Sequence, residues 1–163
     1  MNLTPRLFYL ALTLICATLL GFGYYLQFAQ GLEPCPLCIF QRIAYIAVSV
    51  IAIAGLIHGP RKTGIYIYNS LISISALIGG GIAGWQVYLQ HLPPDQVPEC
   101  GPGLDYMLDM LPIMDVIKTA FTGSGECAEV SWTFLTFSIP EWSLLCFSLI
   151  VLASITYAIK SRR

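Results

Sequence analysis

The stretch PCPLCIFQRIAYIAVSVIAIAGLI, Pro34 to Ile57, joins two closely spaced thiols to a long apolar run. From Ile39 to Ile57 the run carries one charge, Arg42, near its start, and its length approaches the roughly 18 to 20 residues that cross a hydrocarbon core as a helix. Pro36 suits an early helical position, because the amide hydrogen it lacks would have had no helical partner. The helix is therefore expected to begin at or near Pro36, with Cys38 in its first turn. Cys35 and Cys38 then sit at the mouth of a membrane helix, where a pair can alternate between dithiol and disulfide while touching both water and lipid.

Three further runs have the same character: Leu7 to Phe28, Ile65 to Leu89 and Trp142 to Ile159. Across the 163 residues 56% are apolar and only 10% charged, and the mean hydropathy is +0.73, which excludes an ordinary soluble domain. The expected architecture is all-α, a four-helix transmembrane bundle forming one domain over 1–163. Its spans are placed at about 7–28, 39–57, 65–89 and 142–159, and its outer loops at about 29–38 and 90–141. No small-residue cleavage site follows the first run, so it reads as a span and not as a signal peptide.

Charge sets the expected orientation. Arg6, Arg61, Lys62, Lys160, Arg162 and Arg163 fall at the two termini and in the link after the second span. Four spans bring those regions to one side, which the positive-inside rule assigns to the cytoplasm. The nine acids all lie in the opposite loops. Cys35, Cys38, Cys100 and Cys127 map to that outer side too, where disulfides persist.

The third span carries Ser70, Ser73 and Ser75, then Gly79, Gly80, Gly81 and Gly84, a small-residue stretch that lets helices approach closely. Between Gln90 and Glu141 the outer loop is too long for a simple hairpin. Leu104, Met107, Leu108, Leu111 and Met114 recur there near helical spacing, which predicts a short interfacial helix. Trp132, Phe134, Phe137 and Trp142 are expected to anchor the loop where it re-enters lipid.

A cysteine near a helix start feels the partial positive charge of unpaired amides, which favours the reactive thiolate at Cys38. Arg42 follows by four residues on the same helical face; it can stabilise an anion there or snorkel to the interface. Zinc is a rival for the Cys35 and Cys38 pair, but Cys100 and Cys127 stand 27 positions apart and form no second Cys-x-x-Cys, so no metal is expected. Closing Cys100 to Cys127 would restrain a loop and contribute roughly 3.5 kcal/mol in the chain-entropy account. The prolines and glycines around that pair also leave it open to attack by an external thiolate. Cys16 and Cys146 lie within apolar spans and are expected to be inert.

With these residues placed, PCPLCIFQR from Pro34 to Arg42 resembles the first redox loop of the bacterial disulfide bond formation protein B family. GECAEVSWTFLTFSIPEW from Gly125 to Trp142 is similar to the family segment carrying the last redox cysteine, and QVYLQHL before the long loop also fits. The resemblance covers four spans and all four outer cysteines. It implies an inner-membrane oxidoreductase that reoxidises a periplasmic DsbA-type dithiol carrier and reduces membrane quinone, ubiquinone or menaquinone, with both termini cytoplasmic and the redox loops periplasmic. It further implies that Cys100 forms the mixed disulfide with the carrier and that Cys127 links to Cys35. Cys38, so released, would face the quinone with Arg42 in support, and His91 would lie nearby. Gln41 departs from the pattern, standing where a family member has an acid. Partners would be the carrier, lipid and the quinone pool, with no nucleic acid. Two other readings stand beside it: a non-enzymatic scaffold stapled by two disulfides, and a reductase of the vitamin K epoxide reductase type running electrons outward.

Overall fold

A computed structural model of the chain describes residues 4–93, 112, 114, 115 and 125–161. Four long helices account for most of them: α1 (Pro5–Ala29), α2 (Pro36–His58), α3 (Thr63–Gln90) and α5 (Ile139–Lys160). Between α3 and α5 come a single turn, α4 (Gly125–Ala128), and a two-stranded ribbon of β1 (Thr133–Phe134) and β2 (Phe137–Ser138). Each long helix is long and apolar enough to cross a membrane, and each extends past the apolar run it contains. Leu14, Leu77, Ile78, Leu149 and Leu152 are exposed along them, as lipid-facing side chains of a multi-pass membrane protein must be. The interfacial helix expected from Leu104 to Met114 lies outside the described residues, Pro112 and Met114 aside.

Local chemistry explains where the helices begin and end. Prolines occupy the first position of α1 and α2 and the second of α5, where a missing N–H is harmless. Gly59 ends α2 with φ +58, a left-handed conformation that glycine adopts without a Cβ penalty. At the start of α5 the Ser138 amide donates to Glu141 Oε2 at 2.6 Å, and Ser138 Oγ donates to Gln90 Oε1 at 2.8 Å, which ties this helix to the end of α3.

Helix α3 packs against both α2 and α5, and α1 packs against α2. Along α3 the buried residues Ile65, Asn69, Ile72, Ala76, Gly79, Ala83, Gln86 and Leu89 recur every three or four residues, as one helical stripe does. Near its middle, Gly79 admits the Phe147 ring and Ala44; a Cβ there would stand 2.8 Å from the Ala44 Cβ and closer still to the ring. Phe147 in turn stacks on Tyr45 with centroids 4.1 Å apart. Of the four glycines expected to permit close approach, Gly79 is the one that requires it most, since nothing lies within 4 Å of a Cβ at Gly81. The three helices lock together around this crossing, where packing supplies the association that the hydrophobic effect cannot supply in lipid.

At one end of the bundle Arg6 lies against Gly59, its Nε 3.1 Å from where a Cβ would stand. Phe8 stacks on Tyr157 at 4.1 Å close by. Arg6, Arg61, Lys62 and Lys160 thus share this end, and the thiols of α2 occupy the other.

Candidate active site: sulfurs beside a membrane cavity

Cys35 is the N-cap of α2, with extended backbone (φ −65, ψ 161), and its sulfur accepts the Cys38 amide at 3.4 Å. Pro36 at the first helical position turns the chain so that both thiols face one way. Cys35 donates to the Cys38 sulfur across 2.9 Å. From α4, which packs on α3 and α2, Cys127 arrives fully buried and hydrogen-bonds the Cys35 thiol. The bonds to Cys127 and Cys38, reinforced by burial, push Cys35 well above its ordinary value of 9.0. Cys35 therefore holds its proton in the reduced cluster. Leu37, Ile82 and Leu89 pack around Cys35 and Cys127, which are buried, with Cys38 half-buried beside them.

Two amides complete the cluster. Gln86 of α3 directs Nε2 at Cys35 Sγ (3.2 Å) and Cys38 Sγ (3.4 Å), while its Oε1 accepts from Gln41 Nε2 at 2.8 Å. Both glutamines are buried. Arg42 turns the other way, toward α1: Nη1 donates to Gln27 Oε1 at 2.6 Å, Nη2 to the Gly23 carbonyl at 3.1 Å, and the guanidinium carbon lies 4.9 Å from the Tyr24 ring centroid. Besides Cys35, the donor that reaches the Cys38 sulfur is thus an amide from another helix, not the arginine four residues along.

Cys38 and Arg42 nevertheless line the same space, a cavity of about 1030 Å³ between α1, α2, α5 and the ribbon. Its walls include Leu19, Phe22, Leu26 and Ile39 with Trp132 and Trp142. Trp132 stacks with Phe134 and meets Phe22 edge-on at 5.6 Å, and Trp142 Nε1 donates to the Phe134 carbonyl at 3.0 Å. The ribbon thereby holds aromatic rings over the cavity wall. It turns through Leu135 and Thr136, both at positive φ (51 and 72), the backbone of a type I′ hairpin.

The expected site residues do not all converge. Cys35, Cys38 and Cys127 do; Cys100 lies outside the described residues. His91 caps α3 with Nδ1 2.8 Å from the Val87 carbonyl, is exposed, and is not among the residues lining the cavity. Cys16 is buried in the bundle core, and Cys146 packs against that core and reaches the cavity wall. Gln86 belongs to no motif that marks it as a site residue, and Gln41 stands out in the sequence only as a departure from the family pattern. The signal for both was a polar residue set on an otherwise apolar or small-residue helix stripe, a position also held by Asn69, whose amide donates to Tyr9 Oη at 3.2 Å.

Four membrane-crossing helices with clustered cysteines at one end define a multi-pass membrane protein built for thiol chemistry. The family profile described as disulfide bond formation protein DsbB matches residues 5–157. A Disulfide bond formation protein B of Methylococcus capsulatus is 52% identical over 134 residues, covering 82% of each chain. That of Hahella chejuensis is 48% identical over 145 residues, covering 89% of this chain and 88% of its own. Disulfide bond formation protein B 1 of Pseudomonas aeruginosa is 47% identical over 144 residues, 88% of each. The chain belongs to the DsbB family, and its role is a redox one in disulfide bond formation.

Proposed function

We propose that this chain is a protein-disulfide:quinone oxidoreductase of the bacterial inner membrane, which reoxidises a periplasmic DsbA-type dithiol carrier and passes the electrons to membrane quinone. One observation carries the reading: Cys38 touches Cys35 on one side and lines, with Arg42, a largely apolar cavity on the other. Its size matches that of pockets that hold flat organic ligands. Arg42 has five N–H donors, of which the bonds to Gln27 and Gly23 use two, so a carbonyl oxygen in the cavity has a donor to meet. Arg42, Cys38, Trp132 and Trp142 would hold the quinone. When bound, a quinone supplies a lipid-soluble acceptor for two electrons and two protons.

The rest is exchange between sulfurs. A carrier thiolate attacks Cys100 of a Cys100–Cys127 disulfide and expels Cys127 as thiolate; the second carrier thiol then displaces Cys100 and closes the carrier's disulfide. Cys127, already hydrogen-bonded to Cys35, attacks Cys35 of the Cys35–Cys38 disulfide and expels Cys38. Cys100 attacks Cys127, restoring their bond and leaving Cys35 and Cys38 as the reduced pair. Closure of that pair delivers two electrons and two protons to the acceptor. In sum, dithiol and quinone become disulfide and quinol. The basic residues gathered at the far end of the bundle support a cytoplasmic placement of that end and a periplasmic placement of the sulfurs.

The test mixes the purified chain with reduced carrier and either ubiquinone or menaquinone, following thiol loss and quinone reduction together. One quinone reduced per thiol pair lost is expected. Thiol loss without quinone reduction rejects the proposal, and so does net electron flow from quinol to carrier.

A further inference from the structure

We propose that Gln86 is a catalytic residue of this sulfur relay, its amide donating to whichever of Cys35 and Cys38 bears negative charge, and that Gln41 is the positioning residue that aims it. The inference rests on the oxidoreductase reading for its setting. The geometry is specific. One Nε2 lies 3.2 Å from Cys35 Sγ and 3.4 Å from Cys38 Sγ, so a single donor reaches both sulfurs without moving. Relay chemistry requires that, because charge arises on one sulfur as its partner is attacked and disappears when the pair closes. The same side chain offers Oε1 at 3.7 Å from Cys38 Sγ, an acceptor for the thiol form.

Orientation comes from Gln41. Its Nε2 donates to Gln86 Oε1 at 2.8 Å, which anchors that oxygen and leaves the amide hydrogens directed at the two sulfurs, 3.2 and 3.4 Å away. Reversing the Gln86 amide alone would set N–H against N–H. Both side chains are buried, 3% and 4% exposed, and buried amides are tolerated only when paired. Here the pairing on one side is with reactive sulfur. A neutral amide suits a site that is charged for part of a cycle, since a buried lysine or arginine would itself need a permanent counter-ion.

The test uses the reduced full-length chain in lipid nanodiscs, alkylated with iodoacetamide from pH 5 to 9, with labelling at Cys38 read by peptide mass spectrometry. Gln86→Met keeps the volume and removes the donor. It is expected to slow Cys38 alkylation about tenfold at pH 7 and to move the rate profile about one unit to higher pH, the loss of one hydrogen bond to a charged group. Gln86→His, which retains an N–H, should recover part of that shift. Gln41→Met leaves the donor but frees its orientation, and is expected to slow labelling about threefold. An unchanged profile in Gln86→Met overturns the proposal. Should that variant fail to fold, an unchanged profile in Gln41→Met does so. No carrier or quinone enters the measurement, so an inactive oxidoreductase with the shifted profile overturns only the functional reading.

Discussion

Substituting Gly79 by alanine places a methyl group between α3, α2 and α5, against Ala44 Cβ at 2.8 Å and inside contact range of the Phe147 ring. Overpacking of this kind destabilises by about 1–3 kcal/mol. Alanine also favours the helix over glycine by up to about 1 kcal/mol, which would mask part of the effect, so Gly81→Ala is the reference: nothing lies within 4 Å of its Cβ. The propensity gain is common to both variants, and their difference isolates the steric contribution of about 1–3 kcal/mol. The assay is unfolding by SDS titration in mixed micelles, read by circular dichroism. Because Phe147 stacks on Tyr45, and Tyr45 lines the cavity, Gly79→Ala should also weaken retention of any lipid-soluble ligand. Equal stabilities for the two variants, within about 0.5 kcal/mol, would refute the close three-helix crossing.

Two further outcomes follow from the site. Arg42→Met removes a charged donor from the cavity wall and is expected to raise the KM for quinone roughly tenfold or more, with little change in thiol exchange with the carrier; steady-state kinetics against both substrates separate the two. Cys35 has a folded-state pKa raised above its ordinary value of 9.0, so the reduced protein binds more protons there folded than unfolded. Its contribution to stability is full below about pH 9 and declines as pH rises past it. Denaturation at pH 7, 8, 9 and 10 should show that decline in the reduced protein and a flatter profile in Cys35→Ala.

The sequence disclosed the bundle because each span is a long apolar run, a signal that lies along one helix and needs no partner to be seen. The Cys35 and Cys38 pair was legible for the same reason, being four consecutive residues at a recognisable helix start. Gln86 was not, because its meaning depends on the rotational phase of α3 against α2, 48 positions away from Cys38. Arg42 shows the converse: helical spacing set it on the Cys38 face, yet its long side chain reaches across to Gln27 and Gly23 of α1. The ribbon was hidden too. Leu135 and Thr136 are poor signals for a turn with positive φ, and the surrounding contacts of Trp132, Phe134 and Trp142 hold it there.

If the Cys38 sulfur delivers two electrons to a lipid-soluble acceptor in the adjoining cavity, quinone reduction depends on that sulfur. The direct measurement is quinone reduction in nanodiscs, with reduced carrier in excess, by the wild-type chain and by Cys38→Ser. Sustained turnover is expected in the first and background in the second, with helicity unchanged. Quinone reduction persisting in Cys38→Ser would contradict it.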